Sequence, residues 1–183
     1  AKDRLVTEGY LDYERLCDTP GLDFLIGPGT YRDRQIGGGS GFMTPLETLR
    51  LRGKHWLHEC DQRTHTSNVQ LSKHVSMRFP HWPDEASTIA GVKREMAICL
   101  IDKASLWWFD MWGGFYQGEN VMRTFQKMKV IWDEHIHRES KNVAEILMVV
   151  DPQSVYYINE HDERVARFIR ETRDKLNRVG APF

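Results

Sequence analysis

The chain has 183 residues and a formal net charge of −1, and it is 40% apolar and 28% charged. That balance suits a globular domain with a substantial core, and it gives no electrostatic reason to expect nucleic acid or an anionic membrane as partner. No apolar run reaches bilayer length, so a membrane partner is not expected either.

The three cysteines, Cys17, Cys60 and Cys99, are odd in number, widely spaced and without a CxxC pair. Neither a zinc site nor a disulfide framework is indicated by that spacing. Six Trp, six Tyr and eight Phe make the chain aromatic-rich, which fits a large core or a cleft that stacks on sugars or bases.

The first segment is helical in pattern, with Tyr10, Tyr13 and Cys17 on one face. DTPG breaks it, because Pro20 and Gly21 favour a turn. DFLIG, residues 23–27, has strand length. The glycine-rich IGGGSG follows, and then TPLETLRLRG predicts a short helix. In that reading Thr44 and Glu47 form a capping box, Pro45 takes the first helical position and Gly53 ends it.

KHWLHE, residues 54–59, is the second predicted strand. A long polar loop runs from Cys60 to about Glu85, and its FPHWP run, residues 79–83, is incompatible with a helix interior. Ile89, Val92, Met96, Cys99 and Leu100 mark an amphipathic helix. SLWWFDM, residues 105–111, is the third strand, and Met122, Phe125, Met128, Ile131 and Trp132 line the next helix. AEILMVVD, residues 144–151, is nearly all apolar and predicts a fourth strand buried on both faces. Val165, Phe168, Ile169, Thr172 and Leu176 line the last helix. Strands separated by helices predict parallel pairing and an α/β fold. HRESKNVA, residues 137–144, is the best linker candidate.

Function in parallel α/β folds collects at the carboxyl ends of the strands. The first strand runs out into Tyr31, Arg32 and Arg34, the second into Glu59, Asp61, Arg63 and His65, and the third into Trp107, Trp108, Asp110 and Trp112. Carboxylates bind hydroxyls and do acid, base or nucleophile work, while indole faces stack on sugar C–H faces. A cleft for a polyhydroxylated substrate is the expectation. Taken singly, each carboxylate here reads more readily as a cap or a loop salt bridge, and one of Trp107 and Trp108 must face away from the cleft.

Other motifs fail. GGGSG lacks the GK[ST] of a phosphate loop, and Phe42 replaces the last glycine of a GxGxxG starting at Gly37. HExxH is absent, GxSxG lacks its second glycine, and His135 and His137 point to different sides of a helix. No metal and no cofactor is expected.

The stretch DFLIGPGTYRDRQIGGGSGFMTPLETLRLRGKHWLHECDQRTH resembles the second half of the TIM-barrel domain of β-galactosidase-like glycoside hydrolases, the family 42 kind and relatives. Those proteins show a strand with SPxxY, a Gly-rich loop, a helix ending in GK and a strand ending E-x-D-x-RTH. VKREMAICLIDKASLWWFDMWGGFY is similar to their last barrel helix and strand, and VAEILMVVDPQSVYYIN with RETRDKLNRVGAPF resembles the start of the flavodoxin-like domain that follows.

The resemblance implies an α/β chain made of a partial (β/α)8 barrel, its last three strand–helix units, over residues 1–138, then one βα unit of a flavodoxin-like domain over 139–183. It implies retaining hydrolysis of a glycosidic bond, in which two carboxyl groups stand about 5–5.5 Å apart. Glu59 matches the nucleophile, with Asp61, Arg63 and His65 orienting it and Tyr31 able to hydrogen-bond it. Trp108 and Asp110 match the sugar-facing wall, and Arg32, Arg34 and Trp112 join the carbohydrate-binding set.

The family's acid/base glutamate belongs to the fourth barrel strand, which has no counterpart here, and Cys60 stands where Asn or Asp is more usual. A full barrel takes about 250 residues. The expectation is therefore a fragment, inactive alone, whose open strand edge is covered by a second copy or by the missing barrel half. The rival expectation is a non-catalytic carbohydrate-binding or assembly module using Trp107, Trp108, Trp112 and Tyr116.

Overall fold

The computed structural model describes residues 13–67, 81–111, 113–151, 153, 157 and 163–183. Tyr10 and Trp112 lie outside these residues. In chain order the elements are α1 (Tyr13–Asp18), β1 (Phe24–Pro28), α2 (Leu46–Leu51), β2 (His55–Cys60), α3 (Glu85–Ile101), β3 (Ser105–Trp108) and α4 (Glu119–His135). A last helical run follows: α5 (Glu163–Val165), a π-helical stretch (Ala166–Glu171) and α6 (Thr172–Val179). No helix among the described residues is long and apolar enough to cross a membrane.

The three strands form one parallel sheet in the order β1-β2-β3, so the chain is α/β with β2 central. Register fixes the faces. Leu25 pairs with Trp56, and His58 and Cys60 pair with Leu106 and Trp108. These side chains face the helices, because residues two apart on a strand share a face. Leu25, Trp56 and Leu106 pack with Cys17, Leu49, Cys99 and Ala104. Trp108 packs in a second cluster around Trp82, Val92, Met96 and Met128.

The other face is only partly covered. Phe24 and Ile26 are 50% and 40% exposed there, beside His55, Leu57, Glu59 and Trp107 in register.

The predicted capping box does not form. Pro45 is the N-cap, extended at φ −74° and ψ 93°, and it makes no side-chain cap bond. Thr44 therefore precedes the cap, and Glu47 accepts from Arg50 Nη1 at 2.7 Å instead. The other end behaves as expected: Gly53 takes φ +66°, its N–H donates to Arg50 O, and Lys54 N–H donates to Leu49 O. That is the left-handed glycine stop of a Schellman motif.

Helix α3 starts at Asp84, whose Oδ1 accepts from Ser87 N–H at 2.7 Å. Its apolar stripe is seated as the pattern predicts, with Val92, Met96 and Cys99 buried. In α4 the buried residues are Val121, Thr124 and Met128, while Met122 and Ile131 of the predicted stripe turn outward. Lys103 Nζ donates to the carbonyls of His135, Ile136 and Arg138, closing the carboxyl end of α4.

Residues 144–151 form no strand, which corrects the predicted fourth strand and with it the βα unit of a second domain. Leu147 and Val149 are 84% and 81% exposed. An apolar run becomes a buried strand only beside a partner that takes its N–H and C=O groups, and among the described residues β1 and β3 pair with β2 alone. The last helical run also differs from its predicted apolar lining: Phe168 is exposed.

Trp82 fastens the middle of the molecule. Its N–H donates to Arg63 O at 2.8 Å and its indole Nε1 to Arg34 O at 3.2 Å. Its ring lies so close to Gly91 of α3 that a Cβ there would stand 2.3 Å from two ring carbons. We predict that Gly91→Ala forces these apart and destabilises the fold by about 1–3 kcal/mol. Urea denaturation of the two proteins measures this; equal midpoints would mean that the Trp82 contact is absent.

Candidate active site

The carboxyl ends of β1 and β2 bring a cluster of charges together. Asp61 continues β2 two residues past Glu59. It is buried and held by two partners: Arg34 Nη1 at 2.8 Å and the Tyr31 hydroxyl, which donates to Oδ2 at 2.7 Å. Arg34 is itself buried. Its Nε donates to Thr30 O at 3.0 Å and its Nη2 to Gly29 O at 3.1 Å, and its guanidinium carbon lies 4.2 Å from the centre of the Tyr31 ring. The fork geometry of arginine suits this role, since one side chain serves a carboxylate and two carbonyls at once. Burial, followed by the Asp61 charge, holds the Tyr31 phenol well above its ordinary pKa, so it stays a proton donor to Asp61.

Glu59 is treated differently. It is half-buried, and no hydrogen bond from the described residues reaches its carboxylate. Burial first and the Asp61 charge second raise its pKa above the usual 4.5, opposed by His58 and Arg34. Two acids on one strand face thus have unlike environments, one paired and one open. Tyr31 bonds Asp61 where the sequence suggested a bond to the nucleophile position.

The other predicted residues divide between the cluster and its surroundings. Arg32 is exposed. Arg63 is lowered in pKa by burial, and its carbonyl accepts from Trp82. His65 turns to α3, with Nδ1 2.8 Å from Thr88 Oγ1. Asp110 accepts from Phe115 N–H at 3.2 Å and so shapes the loop after β3.

Trp108 lies on the helix-facing side, against Tyr116 and Phe125, with ring centres 5.3 and 4.9 Å away. Trp107 is the indole that shares a face with Glu59, its register partner. It stacks on Phe109 at 4.8 Å. Strand parity is the signal that assigns the two tryptophans, once the register is known.

Sequence reasoning missed a second, deeper network. Glu95 of α3 is fully buried. Ser40 Oγ donates to its Oε1 at 2.9 Å, and Arg94 Nη2 donates to the same oxygen at 2.8 Å. His58 Nε2 stands 3.3 Å from Oε2. Burial acts to raise the Glu95 pKa, but the His58 and Arg94 contacts outweigh it and bring it down to about 2. The carboxylate is therefore ionised inside the core.

Arg94 also donates to the carbonyls of Gln35, Gly38 and Arg34. The glycine-rich loop is thus a structural clasp. Thr30 N–H donates to Gly41 O across a bridge between Gly29 and Phe42. A Cβ at Gly41 would meet the Asn177 amide of α6 at 2.5 Å, and α6 further contributes Arg178, which ion-pairs with Asp33.

Comparison with protein-family models, with characterised proteins and with solved structures finds no match to this chain.

The Arg34–Asp61 pair yields a direct expectation. Arg34→Met leaves a buried carboxylate without its cation, which costs about 3–5 kcal/mol. The exposed neighbour substitution Arg32→Met stays within about 0.5 kcal/mol. Chemical denaturation of both variants measures the contrast, and equal losses would remove the ion pair from the account of the site.

Proposed function

We propose that the cluster at the strand ends is one wall of a glycosidase cleft of the retaining, β-galactosidase-like kind, with Glu59 as the nucleophile that attacks the anomeric carbon. The observation that carries this reading is the contrast between two acids two residues apart. Asp61 is committed to Arg34 and Tyr31, whereas Glu59 stands open and half-buried beside them. A carboxylate without hydrogen-bond partners retains its nucleophilicity, and a nearby guanidinium favours the ionised form. Asp61, Arg34 and Tyr31 serve as the rigid frame that sets the position of Glu59.

A partial barrel is part of the same proposal. Parallel strands with helices on one side and Glu59 on the other side match one segment of a barrel wall. That open side would then line the barrel interior, and Trp107 with Phe109 would supply an aromatic platform for a sugar. That stacked pair also favours a second reading, a carbohydrate-binding module in which Glu59 only accepts hydrogen bonds from hydroxyls.

General acid assistance is typically worth 10²–10⁴-fold, but an activated leaving group needs little of it. A dinitrophenyl 2-deoxy-2-fluoro-β-galactoside therefore tests the nucleophile alone, through a stable glycosyl ester. Mass spectrometry of digested protein should place the added sugar on the peptide containing Glu59, and Glu59→Gln should abolish it. Labelling should slow as pH falls through the raised Glu59 pKa, because only the ionised carboxylate attacks. A label elsewhere, or none, removes Glu59 as nucleophile; sugar binding retained by Glu59→Gln without any label in the unaltered protein points to the binding module.

We further propose that a second copy of the chain covers the open strand edge. Phe24 and Ile26 of β1 are 50% and 40% exposed, and β1 and β3 each leave one strand edge open in the described sheet. Sedimentation at micromolar concentration should give a dimer or larger species that Ile26→Lys shifts towards monomer. A compact monomer from the unaltered chain would overturn the proposal.

A further inference from the structure

On the face of β2 opposite Glu59, three donor groups of different chemistry meet. His58 and Cys60 are two residues apart on the strand and so project to the same side. Glu95 reaches them from α3. One imidazole nitrogen, the thiol sulfur and one carboxylate oxygen all lie within 4.8 Å of one another. All three side chains have 0% exposure.

Hydrogen bonding alone accounts poorly for one feature. The separation of 3.3 Å between His58 Nε2 and Glu95 Oε2 is long for a buried contact with an ionised group, since such bonds are usually about 2.7–2.9 Å. It is instead close to the edge of a tetrahedron around an ion bound at about 2.0–2.1 Å by nitrogen and oxygen.

The carboxylate is also divided in a useful way. Its Oε1 is taken by Ser40 and Arg94, which fixes its orientation. Its Oε2 is the oxygen turned to His58. Fixing the outer oxygen of a ligand is how proteins orient a carboxylate for a metal.

We propose that His58, Cys60 and Glu95 form a binding site for one divalent zinc-class ion. One thiolate, one imidazole and one carboxylate make a borderline-soft donor set; it suits zinc and disfavours magnesium or calcium, which take oxygen ligands. The widest gap between donors needs to close by about 1.2 Å to reach a tetrahedral edge that includes a metal–sulfur bond of about 2.3 Å. On binding, the Cys60 thiol gives up its proton to solvent and its sulfur donates a lone pair to the ion. Cys99, one helical turn after Glu95 and equally buried, lies near Cys60 and is a further thiol at hand. The site joins β2 to α3, so its role is to hold the sheet to its helical cover. It is independent of the glycosidase reading.

Because the donors are enclosed, the ion enters as the chain folds. The experiment is to refold the whole chain under reducing conditions with Co²⁺ as the optical probe. One equivalent should give the near-ultraviolet absorption of a cobalt–thiolate bond, and Zn²⁺ should displace it. Cys60→Ser and His58→Gln should lose that absorption, and Cys17→Ser should keep it. Refolding with Zn²⁺ should raise the melting temperature.

No cobalt–thiolate band from the unaltered chain overturns the proposal, as does a band that survives Cys60→Ser. Since Cys60→Ser can disturb the core, X-ray absorption of Zn²⁺ bound to the unaltered chain gives a second measurement. A first shell of sulfur with nitrogen or oxygen supports the site, and a shell without sulfur removes it.

Discussion

The architecture depends on one buried carboxylate. Glu95 lies in the core beneath the central strand, and its partners come from three places: Ser40 in the glycine-rich loop, Arg94 beside it on α3, and His58 on β2. An ionised group without such partners would be strongly destabilising in that environment. Burial of α3 against the sheet is therefore possible only if the loop folds back to present Ser40 and if β2 is in register to present His58. Arg94 extends the constraint by gathering the carbonyls of Arg34, Gln35 and Gly38. Those three carbonyls set the path of the segment that carries Arg34. The geometry of the surface cluster is consequently fixed from below.

This layered dependence explains what was legible in the sequence. The three strands were, because each is a short run of apolar or aromatic residues bounded by Gly, Pro or charged residues, and strand-sized runs between helical patterns predict parallel pairing. Their carboxyl ends were legible as the place where charged residues gather. Faces and partners were not. Trp107 and Trp108 are adjacent and alike in the sequence; only the register of Glu59 with Trp107 separates the indole on the open face from the one against Tyr116 and Phe125. Nor does a sequence state that Tyr31 will donate to Asp61 rather than Glu59.

Glu95 did leave a trace. It falls at the helical spacing of Thr88, Val92 and Cys99, all buried, so a charge stands at a core position of α3. Such a residue demands buried partners, and that demand was readable without naming Ser40 or His58. The reading of residues 144–151 failed for the complementary reason. Apolar content predicts burial, but a strand also needs a neighbouring backbone, and composition carries no information about that neighbour. Leu147 and Val149 are exposed accordingly.

The two faces of β2 now divide the chemistry of the molecule. Alternation along a strand sends Trp56, His58 and Cys60 inward and Leu57 and Glu59 to the open side. Inward, buried polar atoms call for partners, and Glu95 supplies one to His58 Nε2, Ser40 and Arg94. Outward, Arg34 can serve only one acid fully, because its other nitrogens are occupied by the carbonyls of Thr30 and Gly29. It serves Asp61. Glu59 is left with a raised pKa and an open carboxylate. Unlike environments for neighbouring carboxyl groups are how one site separates a structural acid from a reactive one. The proposed assignment of Glu59 therefore rests on the limited number of donors that a single buried arginine can offer, a constraint that follows from the fold alone.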